Sequence, residues 1–229
     1  QPNHMKIAIS GASGKTGYRI AEEALKVGLD VRLLVRTNSQ IPDNLSNLEK
    51  AIISLTDKTS LDKGIEGCDA LIIATGAKPS IDLTGPARVD AFGVQNQVES
   101  AKRVGAKRLI LVSSLCAGRW FHPLNLFGLI LIWKRIGERH LETSNLDWTV
   151  IRPGGLNERE DDLTNEAVLF TGPDIQEEAY IPRRLLAKCC IEALNTPSSI
   201  GKILEITSNT ENRPLSMKEA IERLTVKAA

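Results

Sequence analysis

An apolar segment over residues 6–10 ends in Ser10 and runs straight into Gly11-Ala12-Ser13-Gly14-Lys15-Thr16-Gly17. Three glycines at this spacing, set between a strand pattern and a helix pattern that starts near Lys15, restrict the chain more than any other feature. In such a bend one glycine turns the chain, one lets the backbone approach a pyrophosphate, and one lets the helix pack close to the strand. The helix start then offers unpaired N–H groups and the positive end of its dipole to the phosphates. The embedded Gly-Lys-Thr also invites a P-loop reading, but that pattern needs a glycine five positions before the Gly-Lys pair. The residue there is Ile9, so the loop is too short to wrap a triphosphate. A dinucleotide turn fits. An ordinary strand-to-helix turn would use the same glycines, and the rest of the chain has to decide between them.

Short, β-branched, almost uninterrupted apolar runs recur at 30–36, 50–55, 69–76, 107–114, 147–155 and 202–208. Runs of this kind belong to parallel strands covered on both faces. Helical patterns fall between them at 15–27, 60–64, 86–104, 126–144, 182–194 and 216–226. The alternation predicts an α/β fold: a single Rossmann-like, doubly wound parallel sheet. The acidic, less regular stretch 157–179 is expected to be a small substrate-side insertion. Residues 1–4 read as a cloning remnant and 5–229 as one domain.

A net charge of +1 with 25% charged residues gives no basic excess for nucleic acid. The longest apolar stretch, 124–133, is half the roughly 20 residues that a membrane span needs. Cytoplasm is the default compartment, or plastid stroma if a leader has been removed. Cys68, Cys116, Cys189 and Cys190 form no C-x-x-C pair and are expected to be buried, reduced thiols. No metal site is expected.

Ligands of open α/β sheets bind beyond the carboxyl ends of the strands. The residues placed there are small or polar at every strand. After the turn itself (Gly11, Ser13, Gly14, Lys15, Thr16, Gly17) come Arg36 to Asn38, then Thr56 and Asp57. Thr75, Gly76 and Ala77 follow, then Ser113 and Ser114, and finally Arg152, Pro153, Gly154, Gly155 and Leu156. An acidic residue closing the second strand would accept from the ribose hydroxyls of NAD, whereas a cation accommodates the 2′-phosphate of NADP. Arg36 stands there, and Lys15 adds positive potential beside the turn, so NADP(H) is the expected cofactor. Arg36 could otherwise simply end a strand in solvent. Asp57 could orient the adenine amine or cap the next helix.

"ISGASGKTG", "LVR", "LTD", "IIATGA", "LILVSS" and the long segment ending in "DWTVIRPGGL" together resemble the atypical short-chain dehydrogenases/reductases. Within these the chain is most similar to the NmrA-like NAD(P)-binding group of cyanobacteria and plastids, over nearly its whole length. Its one-domain layout also resembles flavin reductase, the biliverdin-IXβ reductase, which has a serine at the position of Ser114. The resemblance implies a Rossmann-like NADP(H) site. Arg152 to Gly155 would lie against the nicotinamide carboxamide, with Ser113 and Ser114 beside the nicotinamide ring.

Typical members of that superfamily follow the serine with Tyr-x-x-x-Lys. Here Lys134 suits the lysine, but Ile130 stands where the tyrosine should be. The two tyrosines lie elsewhere: Tyr18 follows the glycine turn and Tyr180 precedes a late helix. Reducing a ketone needs an acid at hand. A flavin or quinone spreads the incoming charge over a conjugated system, and solvent can return the proton later. Ser114 could still hydrogen-bond an acceptor carbonyl, and Lys134 could supply positive potential; otherwise Ser114 only satisfies backbone groups at a strand end and Lys134 only contacts solvent or the cofactor ribose. His122 could donate a proton from a loop, and His140 is expected on a solvated helix face.

The leading expectation is an NADPH-dependent oxidoreductase acting on a planar conjugated acceptor such as FMN, FAD or a quinone-like molecule. The alternative is a non-catalytic NADP(H)-sensing regulatory or assembly protein. Its apolar stretch from Trp120 to Trp133 could roof the pocket, or touch a protein partner or a membrane surface.

Overall fold

The first β-branched run forms strand β1 (Lys6–Ser10), and helix α1 (Gly17–Lys26) leaves the glycine bend directly after it. The computed structural model describes residues 4–37, 39–76, 91–115 and 130–228. Along the chain follow β2 (Asp30–Val35), β3 (Glu49–Ile52), α2 (Lys58–Ile65), β4 (Ala70–Ile73), α3 (Val94–Val104) and β5 (Arg108–Val112). Next come α4 (Ile130–Glu142), β6 (Asp147–Pro153), β7 (Gly155–Asn157), β8 (Ala167–Thr171) and β9 (Tyr180–Pro182), and then α5 (Arg183–Leu194), β10 (Lys202–Asn209) and α6 (Met217–Ala228).

The main sheet has the order β3-β2-β1-β4-β5-β6-β10-β8. Neighbours pair in parallel up to β10, and only β8 at the edge runs antiparallel. This is the doubly wound arrangement that the strand and helix rhythm predicts. Strand order reverses between β1 and β4, and a crevice opens at such a switch point above the carboxyl ends of the strands.

Side-chain alternation along each strand divides the core in two. Ile7, Ile9, Leu33, Ile72, Ile110 and Ile151 face α1, α5 and α6, meeting Ile20, Leu186 and Ile221. Ala8, Leu34, Leu71, Ile73 and Leu111 face α2, α3 and α4, meeting Leu61, Val98 and Leu141. No helix among the described residues is long and apolar enough to cross a membrane.

The stretch 157–179 is more ordered than its composition suggests. It contributes β8, which extends the main sheet by pairing with β10, and it connects the strands of a separate two-stranded ribbon in which β7 pairs with β9. β7 and β9 are three residues long, too short for a periodic pattern to show in the sequence, and β8 is five.

Candidate functional site

The bend between β1 and α1 is tight because its glycines leave no alternative. Gly11 sits at φ +73°, and a Cβ there would stand 2.6 Å from the Ala74 carbonyl oxygen at the end of β4. A Cβ on Gly17 would be 2.0 Å from the carbonyl oxygen of Gly11. The Gly14 N–H closes the bend by donating to that same carbonyl at 3.0 Å. Thr16 starts α1 without a side-chain cap, and in the first turn the Tyr18 and Ile20 N–H groups donate to the Gly14 and Thr16 carbonyls, both at 3.0 Å. Ser13, Gly14 and Lys15 form the open side, with Thr16 half-buried behind them.

Two carboxylates that the sequence did not point to close over this bend. The Lys15 ammonium meets Glu158 at 2.8 Å. Arg19, almost fully buried, donates to the Lys15 carbonyl at 2.7 Å and to Glu160 at 2.8 Å. Arg184, at the start of α5, bonds Glu160 together with Glu22 and Glu23 of α1. Bonds from Lys15 hold the Glu158 carboxyl below its ordinary pKa, and bonds first from Arg184 and then from Arg19 do the same for Glu160. The segment after β7 is thereby tied to the glycine bend.

Because β1 to β6 are parallel, the other predicted positions gather at the same edge of the sheet. Arg36 and Thr37 are exposed at the end of β2, and Asn38 lies outside the described residues. Thr56 is exposed, with its hydroxyl 3.1 Å from that of Ser54. Asp57 caps α2, accepting from the Thr59 N–H at 3.0 Å, which is one of its two expected roles. Thr75 is buried at the end of β4, where its hydroxyl receives a long bond of 3.4 Å from Gln97 of α3. Gly76 is exposed, and Ala77 lies outside the described residues. Ser113 is buried, its N–H bonded to the Ile151 carbonyl, while Ser114 is half-buried. Lys134 is half-buried on α4.

The Ser10 hydroxyl, the Gln97 amide oxygen and the Ser113 hydroxyl are among the buried polar atoms without a hydrogen-bond partner. Ser10 ends β1 and Ser113 follows β5 on the sheet face covered by α2, α3 and α4, and Gln97 stands on α3 beside Thr75; the Thr171 hydroxyl and Arg183 Nε, elsewhere in the chain, are unpaired as well. A buried polar atom left unpaired costs about 1–3 kcal/mol, so the three unpaired atoms near the carboxyl ends of β1, β4 and β5 fit a polar ligand. With the glycine cradle, these residues suit a dinucleotide.

One predicted residue serves a different purpose. Arg152, 1% exposed, points into the α4 side of the sheet, where two of its nitrogens bond the Glu138 carboxylate at 2.7 and 2.9 Å. A third bonds Asp174 at 3.0 Å and Glu205 at 3.3 Å. Glu205 also accepts the backbone N–H groups of Asp174, Ile175 and Gln176. Burial alone would lower the guanidinium pKa, but the bonds and field of Glu138 outweigh it and hold the group firmly charged. The Arg152 side chain is thus a structural hub, and the main chain after it is engaged too: the Pro153 carbonyl accepts from the Leu115 N–H at 2.9 Å, and the Gly154 and Gly155 N–H groups donate to the Ile206 and Ala179 carbonyls at 2.9 and 2.8 Å. Pro153 is buried, and Leu156 packs against the core beside α1 and α5. The neighbouring Gly154 and Gly155 are seats for Ala179 and Tyr180, which start the return strand.

Other expectations turn out differently as well. His140 is half-buried rather than solvated, and burial lowers its pKa. Cys68, Cys189 and Cys190 are buried free thiols as expected, with Cys190 pushed up to about 12 by burial. Cys116, His122 and most of 120–133 lie outside the described residues. Tyr180 opens β9 and pairs with Gly155, so it is brought to the end of β6 from a distant part of the chain.

The profile of the NAD(P)H-binding family matches residues 11–197. An uncharacterized chloroplastic protein of Arabidopsis thaliana is 34% identical across 93% of this chain and 80% of its own length. Sanguinarine reductase of Eschscholzia californica is 30% identical across 90% of both. Among solved structures, the oxidoreductase ylbE from Lactococcus lactis superposes with a TM-score of 0.80 over 97% of both chains at 24% identity, a likeness of fold. The chain belongs to the NAD(P)H-binding family, within the NmrA-like group of atypical short-chain dehydrogenases/reductases, and carries the oxidoreductase-type fold of that group.

Proposed function

We propose that the protein is an NADPH-dependent oxidoreductase that passes a hydride to a planar conjugated acceptor such as free flavin or a quinone-like molecule. The observation that carries the acceptor class is Ile130, four residues before Lys134 on the same helix, in the place where a proton-donating tyrosine would serve a simple ketone. The reductase among its relatives supports hydride chemistry. The chloroplastic relative supports a plastid stroma, beside the cytoplasm, as the compartment.

When bound, the dinucleotide supplies the hydride. In this reading the Gly11 to Gly17 bend, with Ser13, Lys15 and Thr16, holds the pyrophosphate through backbone N–H groups and positive potential. Arg36 pairs with the 2′-phosphate. Thr56 and Asp57 border the adenine, and Thr75, Gly76 and Ala77 line the middle of the crevice. Ser113 and the segment from Arg152 to Leu156 border the nicotinamide carboxamide. The Ser114 hydroxyl donates to an acceptor carbonyl, while the Lys134 ammonium holds positive potential where negative charge develops. The acceptor spreads that charge, and solvent returns the proton.

The test is NADPH oxidation monitored with FMN, FAD and a series of quinones. Turnover with at least one of them is the expected result. No rate above background with any would overturn the reading, and cofactor binding without turnover would point to an NADP(H) sensor instead.

A further inference from the structure

The Gly154-Gly155 pair is shaped by another part of the chain. A Cβ on Gly154 would stand 2.3 Å from the Ala179 carbonyl oxygen, and one on Gly155 would stand 2.5 Å from Cδ1 and 2.8 Å from Cε1 of Tyr180. Gly155 and Tyr180 are direct partners in the ribbon, and the Gly155 N–H donates to the Ala179 carbonyl at 2.8 Å. In the next pair Leu156 and Ile181 turn into the core. Alternation therefore turns Gly155 and Tyr180 to the opposite side of the ribbon.

Tyr180 is nonetheless 71% exposed. Core packing does not account for a ring this open, yet two consecutive positions without side chains make room for it and the carbonyl before it. The ring rests where β6 ends, on the main chain assigned above to the nicotinamide. An aromatic ring held there by strand pairing, with only two side-chain torsions to order, offers a large contact area at small entropic cost. Conjugated ring systems favour offset stacking on such a surface.

We propose that Tyr180, seated on Gly155, is the stacking wall for the planar acceptor. This rests on the acceptor class argued above. Its role is specificity for flat conjugated rings, and the ring rather than the hydroxyl does the binding.

The test compares Tyr180→Ala and Tyr180→Phe with the unmodified protein, using FMN and menadione as probes in the presence of NADP+. Acceptor binding is read by fluorescence titration, KM and kcat by steady-state kinetics, and NADPH affinity by calorimetry. Tyr180→Ala is expected to weaken acceptor binding and raise acceptor KM about tenfold, the scale of losing one ring-on-ring stack. NADPH affinity and the melting temperature should stay unchanged, and Tyr180→Phe should remain within twofold. Acceptor binding by Tyr180→Ala within twofold of the unmodified protein overturns the proposal. Equal damage by Tyr180→Phe also overturns it, because the hydroxyl would then be the acting group. If the unmodified protein binds NADPH but neither probe, the acceptor class itself fails and the Tyr180 role fails with it. A failure confined to Tyr180 leaves wild-type acceptor binding intact.

Discussion

Replacing Arg152 by methionine tests the buried charge hub behind the site. The substitution keeps most of the aliphatic volume but removes two bonds to Glu138 at 2.7 and 2.9 Å, one to Asp174 and one to Glu205. Asp174 is about half exposed and returns to water. Glu205 keeps its three backbone N–H donors. Glu138 is fully buried, and the partner that stays with it is Arg135 at 3.1 Å. The cost therefore concentrates on one buried carboxylate left with a single cationic partner, and breaking a buried pair costs up to about 3–5 kcal/mol. For a chain of this length each kcal/mol lowers the melting temperature by about 2–4 °C, so a fall of up to roughly 6–20 °C is expected. Glu138→Leu should cost less, because Arg152 retains two carboxylates. In the double variant Arg152→Met/Glu138→Leu neither partner remains as an unpaired buried charge, so at least half of the methionine penalty should be recovered. Urea unfolding followed by circular dichroism, with the denaturant slope unchanged, gives the three free energies. A loss under about 1 kcal/mol for Arg152→Met, or a double variant as unstable as the sum of the singles, would refute this account of the hub.

Arg36→Glu should weaken NADP+ binding by about 10- to 100-fold, the scale of one charge-assisted bond, while NAD+ suffers less. Parallel calorimetric titrations would show this, and an unchanged NADP+/NAD+ ratio would remove Arg36 from cofactor selection. Glu160→Gln probes the tie between α1 and α5. Its carboxyl is held below the ordinary value by Arg184 and Arg19, so its contribution is present above 4.5 and is lost as pH falls through the lowered folded-state value. Unfolding midpoints should show the variant less stable at pH 7 by about 1 kcal/mol or less, given its exposure, with the gap closing under acid. A gap that is constant with pH would contradict this.

Local physics made the glycine bend legible, because its three steric demands fall within seven residues and its neighbours announce a strand and a helix. The parallel strands were legible for a similar reason: burial on both faces leaves a continuous apolar run. Arg36 could be placed at the end of β2 from strand rhythm alone, and the absence of a tyrosine before Lys134 is a matter of spacing. What the chain does not announce is which polar group answers which. Arg152 finds Glu138, Asp174 and Glu205 at separations of 14, 22 and 53 residues, and it reads in sequence as a strand-end arginine beside the cofactor. Glu158 and Glu160 read as loop acids until they meet Lys15 and Arg19. Tyr180 reads as a residue before a helix until it lands on Gly155. Apolar periodicity specifies which face of an element is buried. The pairing of buried charges, and the seating of a ring on a glycine, depend on how the folded layers meet, and no local pattern carries that information.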